Sequence, residues 1–442
     1  MSEASRSIPV DVRRFPWIRR LAADYAHDFS RVAPFFAGDP TDRHAWADAI
    51  ARTQVHPRRR PEIATLVAAQ QRRRRAPDHA VEAATRLADA PTVAVLTGQQ
   101  AGLFGGPLFT LLKALTALKL AEQVSRDHDV PVVAIFWVEG EDHDWEKIRS
   151  ATVFDRALEA RTVALRSQLA TEAVPVSSIR LDESIRDVID ELEQILPPTE
   201  FTSSLVAGLR AAYAPGAGMA DAFATWLEQV LGDRGLVVYD ASDPASKRLV
   251  SDVFVREISM PGHTGRLAAL AGSDLVARGY HEQVHPQEDS LALFSLDGLD
   301  GASQARRAIR PQDGRFIVGD KTYPPAALLR EASDRPIGFS PGVLLRPVAQ
   351  DTLFPTVCYV AGPNELAYLG QLRGVYAHFG VPMPLMYPRA SATLVDSVSS
   401  RFISKYQVPL EALQAQDEAA LNLLLKKQIP PAVEESDRKS VV

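Results

Sequence analysis

The chain has 442 residues, of which 46% are hydrophobic and 24% are charged, and its formal net charge is −6. This length exceeds what one compact core usually holds, so the composition predicts a globular protein of two or three structural units. The acidic balance argues against nucleic acid as a partner, no apolar run reaches the roughly 20 residues that span a bilayer, and the polar N-terminus lacks the apolar segment of a signal peptide.

The only cysteine, Cys358, lies in the apolar run 356–360. A reactive thiol needs exposure and positive surroundings, so this position predicts an unreactive core thiol. A single cysteine also excludes an internal disulfide framework, and we expect a cytoplasmic protein.

The order of hydrophobic patterns predicts an α/β fold with a parallel sheet. Residues 1–90 are typical of polar helices that pack on a core, and from residue 91 strands alternate with helices. Buried strands are predicted at 93–96, 132–138, 235–240, 354–360 and 382–387. The predicted units are 1–90 (N-terminal helices), 91–153 (first half of the core), 154–235 (largely helical insertion), 236–271 (core continuation), 272–336 (small β-rich insertion), 337–400 (second half of the core) and 401–442 (C-terminal segment with a charged helix, Leu410 to Lys427).

A glycine-rich turn, residues 97–107, follows the first predicted strand. It lacks the spacing of a dinucleotide fingerprint and the Gly-Lys-Ser/Thr of a P-loop. Free amides where it opens a helix would attract a phosphate or carboxylate, although a tight connection without a ligand explains the glycines equally well. Lys113, one to two turns into the helix, could assist an anion or simply be solvated. The candidate anion- or nucleotide-binding residues are Gly98, Gln99, Gln100, Gly105, Gly106 and Lys113.

An acidic cluster, residues 139–144, follows the second predicted strand. Ligands of open α/β sheets bind at the carboxyl ends of the strands, which favours a functional cluster over a solvated acidic loop. His143 could act as a general base that a neighbouring carboxylate orients. No second histidine stands at helical spacing, so no metal is predicted. The candidate catalytic residues are His143, Asp142, Asp144 and Glu141.

Two arginines border the last two predicted strands. Arg346 precedes the strand at 354–360, Arg389 follows the strand at 382–387, and each suits a carboxylate or phosphate. A structural ion pair explains either arginine equally well. Asn364 is predicted to cap a helix that runs to His378. The candidate substrate-binding residues are Arg346, Arg389, Gln350, Asp351, Asn364, Glu365 and Tyr368.

These motifs together resemble the BshC family, the proposed cysteine-adding enzymes of bacillithiol biosynthesis. The resemblance extends from the N-terminal helices to about residue 434. The segments that carry it are Thr97 to Gly102 with Gly106-Pro107, Phe136 to Asp144, Leu345 to Pro347 with Gln350-Asp351, Ala361 to Tyr368, and Pro388 to Ala390.

The resemblance implies a Rossmann-like core with two connecting insertions and a C-terminal coiled coil that forms a homodimer. The implied reaction joins the carboxyl group of cysteine to the amine of glucosaminyl-malate. Arg346, Arg389 and the helix start would bind the malate carboxylates, and the acidic cluster could hold the cysteine ammonium. ATP is the usual reagent for activating a carboxyl group, but no motif here identifies a nucleotide.

The chain departs from the family pattern after Glu434, where relatives continue into a long coiled coil and this sequence reaches Val442. We therefore expect a shortened dimerisation segment. Two other functions remain open: a protein that binds a nucleotide or sugar acid without turnover, and a nucleotidyltransferase with another acceptor. Each requires the glycine turn, the acidic cluster and the two arginines to meet at one edge of the sheet.

Overall fold

The computed structural model describes residues 8–166, 174–287, 290–296 and 305–413. Most of the predicted charged helix Leu410 to Lys427 lies outside these ranges, as does the rest of the proposed coiled coil, so the implied homodimer stays a prediction. No helix in the described ranges is long and apolar enough to cross a membrane.

The described N-terminal region is helical. Asp42 caps the second helix by accepting a hydrogen bond from the backbone N–H of His44 at 2.9 Å. Gln70 and Gln71 in the third helix are fully buried and hydrogen-bond the backbone of residues 238 and 240, which fastens the region to the core. The helices are α1 (Arg20–His27), α2 (Arg43–Val55), α3 (Arg60–Arg73) and α4 (Asp78–Thr85).

The first half of the core contains β1 (Val93–Gln100), α5 (Phe109–His128), β2 (Val132–Glu139) and α6 (Trp145–Ile148). β1 is longer than predicted, because all eight of its residues pair in parallel with β2, from Val93 opposite Val132 to Gln100 opposite Glu139. A glycine suits the middle of this strand, since a Cβ on Gly98 would lie 2.7 Å from the carbonyl oxygen of Trp137. The turn therefore begins at residue 101 rather than at 97.

A β-hairpin spans residue 154, where the largely helical insertion was predicted to begin. Its two strands pair through β-branched residues, and the Thr152 and Thr162 hydroxyls lie 2.8 Å apart across them. Three longer helices follow among the described residues 184–231, before the sheet resumes. The elements are β3 (Ser150–Phe154), β4 (Ala160–Ala164), α7 (Ser184–Ile195), α8 (Thr202–Ala212), α9 (Met219–Leu231) and β5 (Val237–Asp240).

Among its described residues, the next region holds four helices and an antiparallel sheet of order β10-β6-β7-β8-β9. Its fifth strand, β10, lies just beyond residue 336, where the β-rich insertion was predicted to end. The elements are α10 (Pro244–Lys247), α11 (Ser251–Ser259), α12 (His263–Ala277), β6 (Leu293–Ser295), β7 (Arg307–Gln312), β8 (Arg315–Val318), β9 (Lys321–Tyr323), α13 (Pro325–Asp334) and β10 (Phe339–Pro341).

The second half of the core contains two helices where one was predicted between 364 and 378. The break falls at Gly370 and Gln371, whose fully buried side chain bonds the backbone of Val284 instead of continuing the helix. The N-cap is Gly362 rather than Asn364. The elements are α14 (Arg346–Leu353), β11 (Thr356–Ala361), α15 (Pro363–Leu369), α16 (Arg373–Phe379), β12 (Leu385–Pro388) and α17 (Ser397–Tyr406).

The core sheet is parallel throughout and has the order β12-β11-β1-β2-β5. The predicted α/β class with a Rossmann-like parallel core is therefore confirmed. Cys358 in β11 is fully buried, and burial raises the pKa of its thiol well above the ordinary value. From β1 the chain first builds the sheet towards β5 and later returns to the other side of β1 with β11. The carboxyl ends of β1 and β11 thus form the topological switch point, where ligands of open α/β sheets bind.

Candidate active site

A cavity of about 410 Å³ lies at this switch point, among the carboxyl ends of β1, β2, β11 and β12. It brings together the end of β1, two residues of the acidic cluster (Glu139 and Asp142) and both arginines. The predicted residues that line it are Gly98, Gln99, Gln100, Lys113, Asp142, Arg346, Asn364, Glu365, Tyr368 and Arg389. Their roles stay predictions.

The floor of the cavity is formed by an ion pair, Lys113 and Glu365, whose charged groups already have several hydrogen-bond partners. Lys113 Nζ lies 2.6 Å from Glu365 Oε2 and donates to the carbonyl oxygen of Gly98 at 2.8 Å and to Gln99 Oε1 at 3.2 Å. The Glu365 carboxylate also accepts from the Gly362 backbone N–H and the Tyr359 hydroxyl. Burial lowers the pKa of Lys113, and Glu365 opposes that shift. Because both charges already have partners, this pair shapes the cavity more than it attracts a ligand.

Arg346 enters the cavity from the first turn of α14. It donates to Gln350 Oε1 at 2.9 Å and to the Tyr368 hydroxyl at 3.1 Å, and its Nε lies 3.9 Å from Glu139 Oε2. Burial lowers the pKa of Arg346, but Tyr368, Tyr359 and Glu139 together outweigh it, so the guanidinium stays charged. Two neutral partners and one distant carboxylate leave this cation able to bind an acidic ligand.

Glu139 is the carboxylate at the end of β2. Its Oε2 accepts from the indole Nε1 of Trp137 at 3.1 Å. Burial raises the pKa of Glu139, Arg346 lowers it, and Glu141 adds a smaller upward shift, so the net change is upward. A carboxyl group with a raised pKa exchanges protons closer to neutral pH than an ordinary one.

Arg389 and Asp142 complete the charged lining. The Arg389 guanidinium lies 5.5 Å from the centre of the Phe109 ring, and no carboxylate of the described residues lies within ion-pairing distance of it. Burial lowers the pKa of Arg389, and Glu365 opposes the shift. Asp142 accepts a hydrogen bond from Gln100 across the ends of β2 and β1. Besides the Lys113–Glu365 pair, the lining thus combines two cations, Arg346 and Arg389, with two carboxylates, Glu139 and Asp142.

Three of the four predicted catalytic residues lie outside the cavity lining, and two of these, His143 and Asp144, lie towards the surface. The half-exposed ring of His143 has its Nδ1 3.6 Å from Asp142 Oδ1, so it stands behind the carboxylate that faces the cavity. Asp144 pairs with Lys147 on the surface. The chain bends at Glu141, just after the end of β2, which points consecutive side chains in different directions.

Glu141 also points away from the cavity. It is 4% exposed, forms an ion pair with Lys247 and accepts from the Ser340 hydroxyl at 2.9 Å. The reason is the change of direction along the turn: Glu139 and Asp142 face the cavity, and Glu141 faces the interior behind it.

Gln350 and Asp351 are buried beneath Arg346 rather than in the lining, each 1% exposed. Gln350 accepts from Arg346 and donates to Asp351 Oδ1 at 2.9 Å, and Tyr376 donates to the other oxygen of Asp351. These residues orient Arg346 from behind and lie too deep to touch a ligand in the cavity.

The glycine turn does not form a phosphate cradle. Gly105 and Gly106 have positive φ values of 94° and 70° and lie outside the lining. The amide of Gly105 donates to the Tyr213 hydroxyl at 3.0 Å, so it already has a partner. Nor does the described part of the chain hold a group of three or more His, Cys, Asp or Glu side chains suited to a metal ion.

Six lining residues were not among the predicted site residues: Phe109, Trp137, Glu139, Tyr359, Gly362 and Pro363. A signal existed for two of them, because alternation in β2 places Trp137 and Glu139 on the same face at the carboxyl end of a strand. Tyr359 reads from the sequence as one more residue of an apolar run, and only the packing of α15 shows that its hydroxyl meets a carboxylate.

Residues 8–390 match the family model described as "Bacillithiol biosynthesis BshC, N-terminal Rossmann-like domain". Three similar proteins are each named "Putative cysteine ligase BshC". The one from Salinibacter ruber is 37% identical over 408 residues, which are 91% of this chain and 72% of that protein. The relatives from Koribacter versatilis and Solibacter usitatus are 32% and 30% identical, over 97% and 96% of this chain and 78% and 76% of their own lengths.

Proposed function

Because the chain belongs to the BshC family, we propose that it is a ligase that joins the carboxyl group of cysteine to the amine of glucosaminyl-malate. The observation that carries this proposal is the meeting of Arg346 and Arg389 with Glu139 and Asp142 in one cavity at the switch point of the sheet. A reducing cytoplasm is the proposed compartment, since the substrate is a free thiol.

The charges of the cavity support this pair of substrates. Malate carries two carboxylates, and the cavity offers two guanidinium groups that lack a close carboxylate partner. Cysteine carries an ammonium group, for which Asp142 is an available anion at the end of β2. The exposed amide of Asn364 borders the same space and can bond a sugar hydroxyl.

Amide formation requires the sugar ammonium to lose a proton before its nitrogen attacks. We assign this proton to Glu139, whose raised pKa suits a general base and whose carboxylate faces the cavity. As the C–N bond forms, the activated cysteine carbonyl expels its leaving group, and Arg346 is placed to balance the negative charge nearby. His143, behind Asp142, stays the predicted alternative base.

ATP is the proposed activating reagent, because a carboxylate and an amine do not condense unaided in water. Not all of the residues predicted to bind its phosphates suit that role. Lys113 already forms an ion pair with Glu365, and the Gly105 amide already donates to the Tyr213 hydroxyl. No step is therefore assigned to a phosphate group at the glycine turn.

The test is to incubate the purified protein with cysteine, glucosaminyl-malate and ATP and to detect the amide product by mass. Omission of each component in turn is the control, and we expect product only in the complete mixture. Glucosaminyl-malate binding by calorimetry without any product would instead support a non-catalytic binding protein. Pyrophosphate release without amide formation would support a nucleotidyltransferase with another acceptor.

A further inference from the structure

A buried ion pair lies directly behind the wall of the cavity. Glu141 and Lys247 are each 4% exposed, and the Lys247 ammonium contacts Glu141 Oε1. Ser340 donates to the other carboxylate oxygen at 2.9 Å. The three residues belong to the turn after β2, to α10 and to β10, so the pair joins three separate elements. None of them lines the cavity.

Short contacts connect this pair to the proposed base. The backbone N–H of Glu141 donates to Glu139 Oε1 at 3.3 Å, while the indole of Trp137 holds Oε2. The residue on the other side of Glu141 is Asp142, which accepts from Gln100. Whatever fixes Glu141 therefore fixes the direction of both cavity carboxylates.

A buried ion pair is suited to hold the turn, because either charged side chain would be unfavourable in the interior without the other. A carboxylate out of water needs its cation close by and in one geometry, so the pair restricts the turn to one conformation. The alkyl chain of Lys247 is also confined, with its ammonium 5.9 Å from the centre of the Phe254 ring.

We propose that Lys247 and Glu141 are positioning residues, which hold Glu139 and Asp142 facing the cavity, and that Glu141 takes no part in proton transfer. The expected change in kcat rests on the proposed ligase function, whereas the expected shift of the turn does not. The sequence-based prediction places Glu141 among the catalytic residues, and the two roles give opposite results in one set of variants.

The variants are Lys247→Met, Glu141→Gln and the double variant. Lys247→Met keeps an unbranched side chain but leaves a buried carboxylate without its cation, so the turn should shift. We expect kcat to fall on the order of 100-fold, the cost of a displacement of about 1 Å in a catalytic group. The double variant has a neutral pair that can still bond Ser340, and we expect it to recover most of kcat.

A matched control is available in the pair of Arg74 and Glu228, whose side chains are 3% and 2% exposed and which also contacts the sheet through the carbonyl oxygen of Val238. It is also a cation–carboxylate pair of similar burial, but none of its recorded contacts reaches the turn after β2. Arg74→Met should lower the thermal midpoint while leaving the kcat of the folded protein unchanged.

A second readout needs no substrate. The protein has five tryptophans, and incorporated 5-fluorotryptophan gives a fluorine resonance for Trp137, assigned with Trp137→Phe. Because this indole donates to Glu139, its resonance should shift in Lys247→Met, return in the double variant and stay in place in Arg74→Met. This measurement tests the positioning role even if the wild type shows no ligase activity.

Two outcomes would overturn the proposal. If the double variant restores the Trp137 resonance but not kcat, the Glu141 carboxylate itself takes part in the reaction. If Lys247→Met leaves both the resonance and kcat at wild-type values, the pair positions nothing. Should Lys247→Met fail to fold, the comparison of the double variant with the wild type decides by the same two readouts.

Discussion

The chemistry of the cavity depends on which charged side chains already have partners. Lys113 and Glu365 neutralise one another and gain further hydrogen bonds from the protein, so a ligand has little to add. Glu139 and Arg389 differ, because their nearest partners are neutral or distant. All four groups line the same cavity. Their pairing separates the structural charges of Lys113 and Glu365 from those of Glu139 and Arg389, which are able to act on a substrate.

Glu139→Gln should lower kcat by about 100-fold or more, since the amide cannot accept the amine proton. Burial raises the pKa of Glu139, so the wild-type kcat/KM should rise with pH as this carboxyl group ionises above the ordinary carboxyl range. The glutamine variant should lose this acidic limb. Rates measured from pH 4 to 9 test both expectations.

His143→Ala tests the alternative base, whose ring lies outside the cavity lining. Two results together would assign the proton to His143 instead. His143→Ala would lose as much turnover as Glu139→Gln, and the Glu139→Gln variant would keep the acidic limb of the pH profile.

Arg346→Ala should raise KM for glucosaminyl-malate by about 10- to 100-fold, the loss expected for charge-assisted hydrogen bonds to one carboxylate. The KM for cysteine should change little. Arg335→Ala, which removes an exposed arginine whose ion pair is with Glu331, is the control for charge. Equal changes in both KM values would show that Arg346 maintains the cavity rather than binding one substrate.

At the scale of elements, the site depends on how closely β1 and β2 approach. The two strands stay in register to their last residues, which places Gln100 beside Glu139 at the cavity edge. Gly98 permits this approach, because any side chain there would meet the carbonyl oxygen of Trp137. Two of the site residues thus owe their positions to a residue without a side chain.

Gly98→Ala should destabilise the protein by about 1–3 kcal/mol, the usual cost of overpacking, since its Cβ would lie 2.7 Å from backbone that cannot move freely. Denaturant unfolding measures the change. Gly338→Ala is the matched control, because its Cβ would meet no atom within 4 Å and it should be close to neutral. Equal stability of the two variants would mean that the strands separate easily at this point.

At the scale of the whole molecule, burial raises the pKa of several carboxyl groups. These groups are Glu139, Glu228, Asp240, Glu257 and Asp351. Such groups hold a proton in the folded state at a pH where the unfolded chain releases it. Their combined effect is to make folding less favourable as pH rises through this range.

Glu228 is the clearest case, because burial raises its pKa from 4.5 to about 7 while Arg74 opposes the shift. Its contribution is greatest below pH 4.5 and is lost as pH rises to 7. The stability of the wild type relative to Glu228→Gln should therefore fall by up to about 3 kcal/mol across this window.

Denaturant unfolding of both proteins at pH 5, 6 and 7 measures that difference. Asp182→Asn is the control, since Asp182 is an exposed carboxyl group whose pKa is lowered by hydrogen bonds from Ser184 and should show no such loss. A constant difference between wild type and Glu228→Gln would mean that Arg74 keeps the carboxylate charged throughout.

Hydrophobic patterning by itself determined the α/β class, the five core strands and the edge of the sheet at which the cavity lies. These features follow from local sequence, because strand periodicity and βαβ connectivity bring the carboxyl ends of parallel strands to one edge. The motif residues in these strand ends were also sufficient to identify the family.

Only the tertiary structure decided which side chains of each motif face the cavity. Glu139, Glu141 and Asp142 lie within four consecutive positions, yet the turn directs two of them into the cavity and Glu141 towards Lys247, which is 106 positions later. Likewise, Gln350 and Asp351 lie under Arg346 because α14 packs against Tyr376. Such directions depend on contacts between distant segments, which no local pattern of residues encodes.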